Sequence, residues 1–132
     1  MKDGFIKVAA ATPEIKVADC KYNAKQIISL AKELAKKDVK LAVFPELCIT
    51  GYTCQDLFYQ TTLLDGAKNA LITILDELSE LDMITVVGLP MQYDSKQYNC
   101  AAMCLSSTCR TTTNFTRCAT LPPGTAVNAN IF

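Results

Sequence analysis

Apolar positions along the chain alternate between short continuous runs and longer stretches with helical spacing. Phe5 to Ala11 is a nearly continuous apolar run and reads as a first buried strand, ended by Thr12-Pro13. Asn23, followed three residues on by Gln26, predicts a helix N-cap with a capping box. After it Ile27, Leu30, Ala31, Leu34 and Ala35 keep helical spacing, and Lys25, Lys32, Glu33, Lys36 and Lys37 fill a solvated face. Val39 to Phe44 predicts a second strand, so the first unit is strand–helix–strand with a parallel crossover.

Gln55 to Gln60 predicts a helical turn with Leu57 and Phe58 facing inward. Leu64, Ala67, Leu71, Leu75, Leu78 and Leu81 mark a long amphipathic helix, set against Lys68, Asp76, Glu77 and Glu80. Met83 to Leu89 predicts a third strand, closed by Gly88 and Pro90. Asp94-Ser95-Lys96 reads as a turn, and Tyr98 to Met103 as a fourth strand. Strands alternating with helices argue for an α/β layered fold.

Beyond Met103 the pattern stops. No Lys, Asp or Glu follows Lys96, and the threonine-rich stretch through Thr111-Thr112-Thr113 has neither helical nor strand period. Residues 1–103 are therefore expected to form the folded part, and 104–132 an irregular, disordered tail.

Composition narrows the classes of function. A chain of 132 residues is one domain at most, and a formal net charge of zero points to neither nucleic acid nor an anionic membrane as partner. No apolar run reaches the length of a membrane span, and the N-terminus has no signal-peptide pattern. Seven cysteines without a regular framework fit a reducing cytoplasm better than a disulfide scaffold. There is no histidine, which excludes Cys-His and Ser-His-Asp nucleophile pairs within the chain. No paired cysteine spacing supports a zinc site.

The most informative stretch is Leu41-Ala42-Val43-Phe44-Pro45-Glu46-Leu47-Cys48-Ile49-Thr50-Gly51-Tyr52. Pro45 ends the apolar run, so Glu46 sits just past the carboxyl end of a buried strand, where open α/β sheets place their ligands. Two readings stay open. A buried carboxylate there acquires a raised pKa suited to a general base, and the plainer alternative is a Glu that turns outward to solvent just past the strand.

Val8-Ala9-Ala10-Ala11-Thr12-Pro13, Val17-Ala18-Asp19, Asn23 and Phe44-Pro45-Glu46-Leu47-Cys48-Ile49-Thr50-Gly51-Tyr52 resemble the start of a nitrilase-superfamily, or carbon–nitrogen hydrolase, domain. With Thr53-Cys54-Gln55-Asp56-Leu57-Phe58-Tyr59-Gln60 the resemblance narrows to the N-terminal glutaminase domain of bacterial glutamine-dependent NAD synthetases, over roughly residues 5 to 103. The resemblance implies a four-layer α-β-β-α sandwich, of which this chain supplies about the first half. Half a sandwich leaves an apolar face and sheet edges uncovered, so the isolated chain is expected to be poorly soluble or molten.

The family's chemistry joins a Glu general base, a Lys that stabilises the tetrahedral intermediate, and a Cys nucleophile that attacks the glutamine side-chain amide. By resemblance Glu46 is the base and Tyr52 lies on the wall of the glutamine pocket, while the Lys and Cys have no counterpart here. Cys48 would point as Glu46 does if the strand ran on, but the family has a packing cysteine at this position, and Cys54 belongs to the family's loop pattern. The resemblance further implies glutamine as substrate of the intact domain and a separate synthetase domain that uses ATP and Mg to turn deamido-NAD into NAD. It also implies a homo-oligomeric full-length enzyme. No cofactor or metal is expected in this part. The alternatives are a non-catalytic nitrilase-like interaction module, or a piece of another carbon–nitrogen hydrolase.

The family's pattern continues as Val-Pro-Lys-x-Tyr-Leu-Pro-Asn-Tyr-x-Glu-Phe-Tyr-Glu-x-Arg. Back-translated and read one nucleotide earlier, Thr108-Cys109-Arg110-Thr111-Thr112-Thr113 can give Tyr-Leu-Pro-Asn-Tyr-Asn, and Asn114 to Ala119 can give Glu-Phe-Tyr-Glu-Met-Arg. The family's lysine codon would then straddle Leu105 and Ser106. The tail is accordingly expected to be out of frame, with a short deletion before it.

Overall fold

The computed structural model describes residues 4–105 and 118–121. Their elements run β1 (Lys7–Ala10), α1 (Cys20–Lys36), β2 (Val39–Val43), a 3₁₀ turn (Gln55–Tyr59), α2 (Thr61–Leu78), β3 (Ile84–Tyr93), β4 (Lys96–Leu105) and β5 (Cys118–Leu121). The five strands form one mixed sheet in the order β1-β2-β3-β4-β5. The first two pairings are parallel and the last two antiparallel.

Side chains alternate across the strands, and the two helices cover one face of the sheet. Ala42, Thr85, Val87, Leu89, Cys100, Ala102 and Cys104 lie buried beneath the helices. There they meet Ile27, Ala31, Ala67, Leu71 and Ile74 in one apolar cluster. Each fully buried Ile or Leu of this cluster contributes about 2 kcal/mol of hydrophobic stabilisation. Lys32 of α1 and Glu77 of α2 pair at 2.6 Å over the seam between the helices, an exposed contact of small energy. Among the described residues no buried side-chain polar atom lacks a partner.

The opposite face is only partly covered, with Val86 buried at 5% exposure. Val8 is 59% and Leu105 53% exposed, and Leu41, Val43, Ile84 and Met103 are half-buried between them. This corrects the reading of Phe5 to Ala11 as a buried strand. Only Lys7–Ala10 pair, at the sheet edge, and Phe5 and Ile6 before them are exposed. A helix layer on one face leaves an edge strand nothing to bury its other side chains against.

Three further expectations change. The N-cap of α1 is Asp19, whose side chain accepts from Tyr22 N at 3.0 Å, and the helix starts at Cys20. Asn23, read as that cap, is instead completely buried. β3 does not close at Gly88 and Pro90 but runs to Tyr93. Beyond Val86 it pairs with β4 alone, and sheets accept proline where one side of a strand is free. Leu57 is exposed, while Phe58 packs against the core.

The hairpin turn was legible. Asp94 and Ser95 both have positive φ, 49° and 60°, the two-residue arrangement whose twist matches its strands. β4 extends to Leu105, and Cys118–Leu121, within the stretch expected to be irregular, pair antiparallel with β4. A strand beside β4 satisfies backbone groups that its far edge otherwise leaves open. The remaining positions of 104–132 lie outside the described residues. No helix among those described is long and apolar enough to cross a membrane.

Candidate active site

Strand pairing persists one residue beyond β2, with Phe44 N donating to Val86 O at 2.9 Å, and then Pro45 breaks it. Residues 46–50 fold into a tight turn in which Cys48 N reaches Pro45 O at 3.3 Å and Gly51 N reaches Leu47 O at 2.8 Å. Leu47 takes a left-handed conformation, φ 51°, unusual for a residue with a Cβ. Such strain persists only where the surroundings over-determine the backbone, and here three neighbours do so.

The first is Gly88 on β3. A Cβ there would lie 2.4 Å from Leu47 N, 2.9 Å from Pro45 O and 3.0 Å from Glu46 C. The backbone that carries Glu46 therefore rests directly on the glycine. Gly88 O also accepts from Ile49 N at 3.2 Å. The second is Asn23, whose Nδ2 donates to Ile49 O at 2.9 Å and to Lys16 O at 2.8 Å while Oδ1 accepts from Lys16 N at 2.7 Å. The third is Gly51, φ 88°, which lets Ala18 N reach Thr50 O at 2.7 Å.

Glu46 itself is exposed, which settles the alternative left open by the sequence on the side of a solvent-facing carboxylate. It is nevertheless engaged, because Asn99 of β4 donates from Nδ2 to Glu46 Oε1. Beside it opens a cleft of about 210 Å³ whose lining includes Leu47, Phe58, Tyr59, Pro90, Gln97 and Asn99. Tyr52 is 68% exposed and does not line this cleft.

The strand does not run on past Pro45, so Cys48 and Glu46 part company. Cys48 is buried in the core with Sγ donating to Gly88 O at 3.7 Å. Cys54 Sγ donates to Thr50 O at 3.2 Å and Gly51 O at 3.4 Å, latching the loop. Both fill packing roles. No group of three His, Cys, Asp or Glu that could hold a metal occurs among the described residues.

Burial pushes the thiols of Cys20 and Cys48 up to about 11 and that of Cys104 up to about 12, from an ordinary 9.0. For Cys20 the neighbouring Cys54 and Asp19 add to the effect, and for Cys104 the neighbouring Cys48 does. Below about pH 9 these groups are neutral thiols both folded and unfolded, and their contribution is fully present. Above it the unfolded chain loses its protons first, so the contribution is lost as pH rises toward 11–12. Denaturation followed from pH 7 to 11 should show stability falling only above about pH 9. Replacing Cys104 by alanine should soften that fall.

Residues 7–114 match the carbon–nitrogen hydrolase family model. The chain belongs to this family. It is 35% identical over 100 residues to the glutamine-dependent NAD(+) synthetase of Mycobacterium tuberculosis, an alignment that takes in 76% of this chain and 15% of that protein. The Aquifex aeolicus glutamine-dependent NAD(+) synthetase is 31% identical over 99 residues, 75% of this chain and 17% of the relative. Among solved structures, a glutamine-dependent NAD(+) synthetase from Cytophaga hutchinsonii superposes with a TM-score of 0.71 at 30% identity, covering 76% of this chain and 17% of the other. An amidase from Nesterenkonia shares the fold at a TM-score of 0.61 and 20% identity. The chain thus spans about one-seventh of the curated relatives it matches.

Sequence reasoning singled out Glu46 but missed Gly88 and Asn99. A glycine inside an apolar strand signals close backbone approach, and that cue for Gly88 was available. Asn99 had none, because its partner is 53 residues away.

Proposed function

We propose that this chain is part of the ammonia-releasing glutaminase unit of a glutamine-dependent NAD synthetase, with Glu46 as the general base. The supporting observation is the placement of Glu46. It stands just past a parallel strand, exposed to solvent, on a turn held by Gly88 and Asn23, and its neighbour Leu47 and its partner Asn99 line a cleft. A general base must reach the proton it takes, and an exposed carboxylate can. Tyr52 is proposed as a pocket wall residue completed by parts of the domain that this chain does not supply. ATP and Mg belong to the synthetase part of the family. Glutamine as substrate, the synthetase domain and a homo-oligomer as partners, and a cytoplasmic setting all follow from the same reading.

As this polypeptide, the chain should not hydrolyse glutamine. On this reading Glu46 has no nucleophile to activate, because the family's Lys and Cys have no counterpart in the chain. Loss of one member of such a unit typically costs several orders of magnitude in rate. A glutamate-release assay should stay at background. Release that Glu46→Gln abolishes would show that another cysteine has taken the role.

The coding DNA tests the origin of the tail. Read one nucleotide earlier after Met103, it should continue through the family's lysine segment toward the nucleophile. A shifted frame that does not reach even the lysine motif overturns this part of the proposal. The interaction-module reading is favoured by one observation, the partly covered apolar face bearing Val8 and Leu105. A size measurement on the purified chain addresses it directly.

A further inference from the structure

Glu46 is exposed, and an exposed glutamate ordinarily samples several rotamers about its rotatable side-chain bonds. This one is held from two sides by the same hairpin. Gly88 of β3 seats its backbone. Asn99 of β4, paired with Pro90 two positions along from Gly88, reaches its carboxylate. A carboxylate only accepts, so the amide must present Nδ2 and not Oδ1, and the direction of the bond is fixed by chemistry. Two residues earlier on β4, Gln97 donates from Nε2 to Phe58 O at 2.5 Å and so ties down the 3₁₀ turn across the cleft. Alternate residues share a strand face. Gln97 and Asn99 thus fasten the two walls of one cleft from a single strand.

We infer that Asn99 is a positioning residue for Glu46. Its amide occupies Oε1, which orients the carboxylate and leaves Oε2, without a hydrogen bond from the described residues, as the oxygen that takes up a proton. A hydrogen bond to a charged acceptor is stronger than one between neutral groups, so one donor can hold an otherwise mobile side chain. The functional meaning rests on the reading of Glu46 as general base. The contact itself does not.

The test is side-chain NMR on the full chain, labelled with nitrogen-15 and carbon-13. The Asn99 side-chain amide resonance should move as pH is taken through the carboxylate range, and Glu46→Gln should abolish that movement. Asp56, Asp94 and Lys96 are charged groups on neighbouring elements, and the Glu46→Gln comparison separates their effect on the amide from that of Glu46. In the parent chain, Glu46 side-chain carbons should relax as an ordered group. In Asn99→Ala they should become as mobile as those of Glu33, an exposed glutamate of α1. Gln97→Ala should leave the Asn99 response unchanged. A pH-independent Asn99 amide, an unaltered response in Glu46→Gln, or an undispersed Asn99 resonance each overturns the inference. Glutamine turnover enters none of these readouts, so failure here is distinct from failure of the proposed function.

Discussion

Replacing Gly88 by alanine is expected to open the Glu46 turn, with roughly a hundredfold faster amide exchange at Phe44, Ile49 and Gly51. The new methyl would lie 2.4 Å from Leu47 N and 2.9 Å from Pro45 O. Both are backbone atoms that no rotamer change can move aside. Overpacking of this kind typically costs 1–3 kcal/mol and occasionally more. With a main-chain clash the upper figure of about 3 kcal/mol applies, which corresponds to the exchange factor given. The damage should be local. Phe44 N and Ile49 N donate to Val86 O and Gly88 O, and Gly51 N donates within the turn, so these amides report the turn leaving its seat. Amides of α2 do not touch the seat and should keep their protection. Unchanged exchange at Ile49 would mean that the turn is held by something other than the glycine.

The same pair of elements shows what the residue pattern could reveal. Both helices and β1 to β4 were recognisable because their apolar residues recur at the right period and long-range packing agreed with local preference. The Asp94-Ser95 turn was legible for the same reason. β3 was cut short because Gly88 and Pro90 look like a stop. Whether they are depends on how many neighbours the strand has at that point, and past Val86 it has one. The nearly continuous apolar run from Phe5 to Ala11 reads as a buried strand, yet coverage of a sheet face depends on layers that the strand itself does not encode. Glu46 was placed correctly at the end of a strand. Its exposure and its Asn99 partner follow from the β3–β4 register, which no local window contains.

Asn23 is the clearest case of a residue whose local and long-range readings conflict, and it carries the second large prediction. With Gln26 three positions later it fits a capping box, but Asp19 performs the capping. Asn23 is instead completely buried one turn into α1. It joins α1 to two other segments: Lys16 before the helix, through both N and O, and Ile49 O in the Glu46 turn. Replacing it by leucine keeps the volume close but removes all three bonds. That leaves Lys16 N and Ile49 O to be satisfied by other means within a packed region. An unsatisfied buried group costs about 1–3 kcal/mol, so Asn23→Leu should destabilise the chain by about 3 kcal/mol. At the urea dependence usual for a domain of this size, the unfolding midpoint should fall by roughly 2 M. Asn23→Asp isolates the direction of the bonds. The carboxylate can still accept from Lys16 N but can donate to neither carbonyl, and it places a charge in a dry site. It should therefore be at least as damaging as leucine, although it is the closer match in shape. A midpoint for Asn23→Asp near that of the parent chain would show that the clamp does not bear on stability, and that Gly88 and Gly51 hold the Glu46 turn without it.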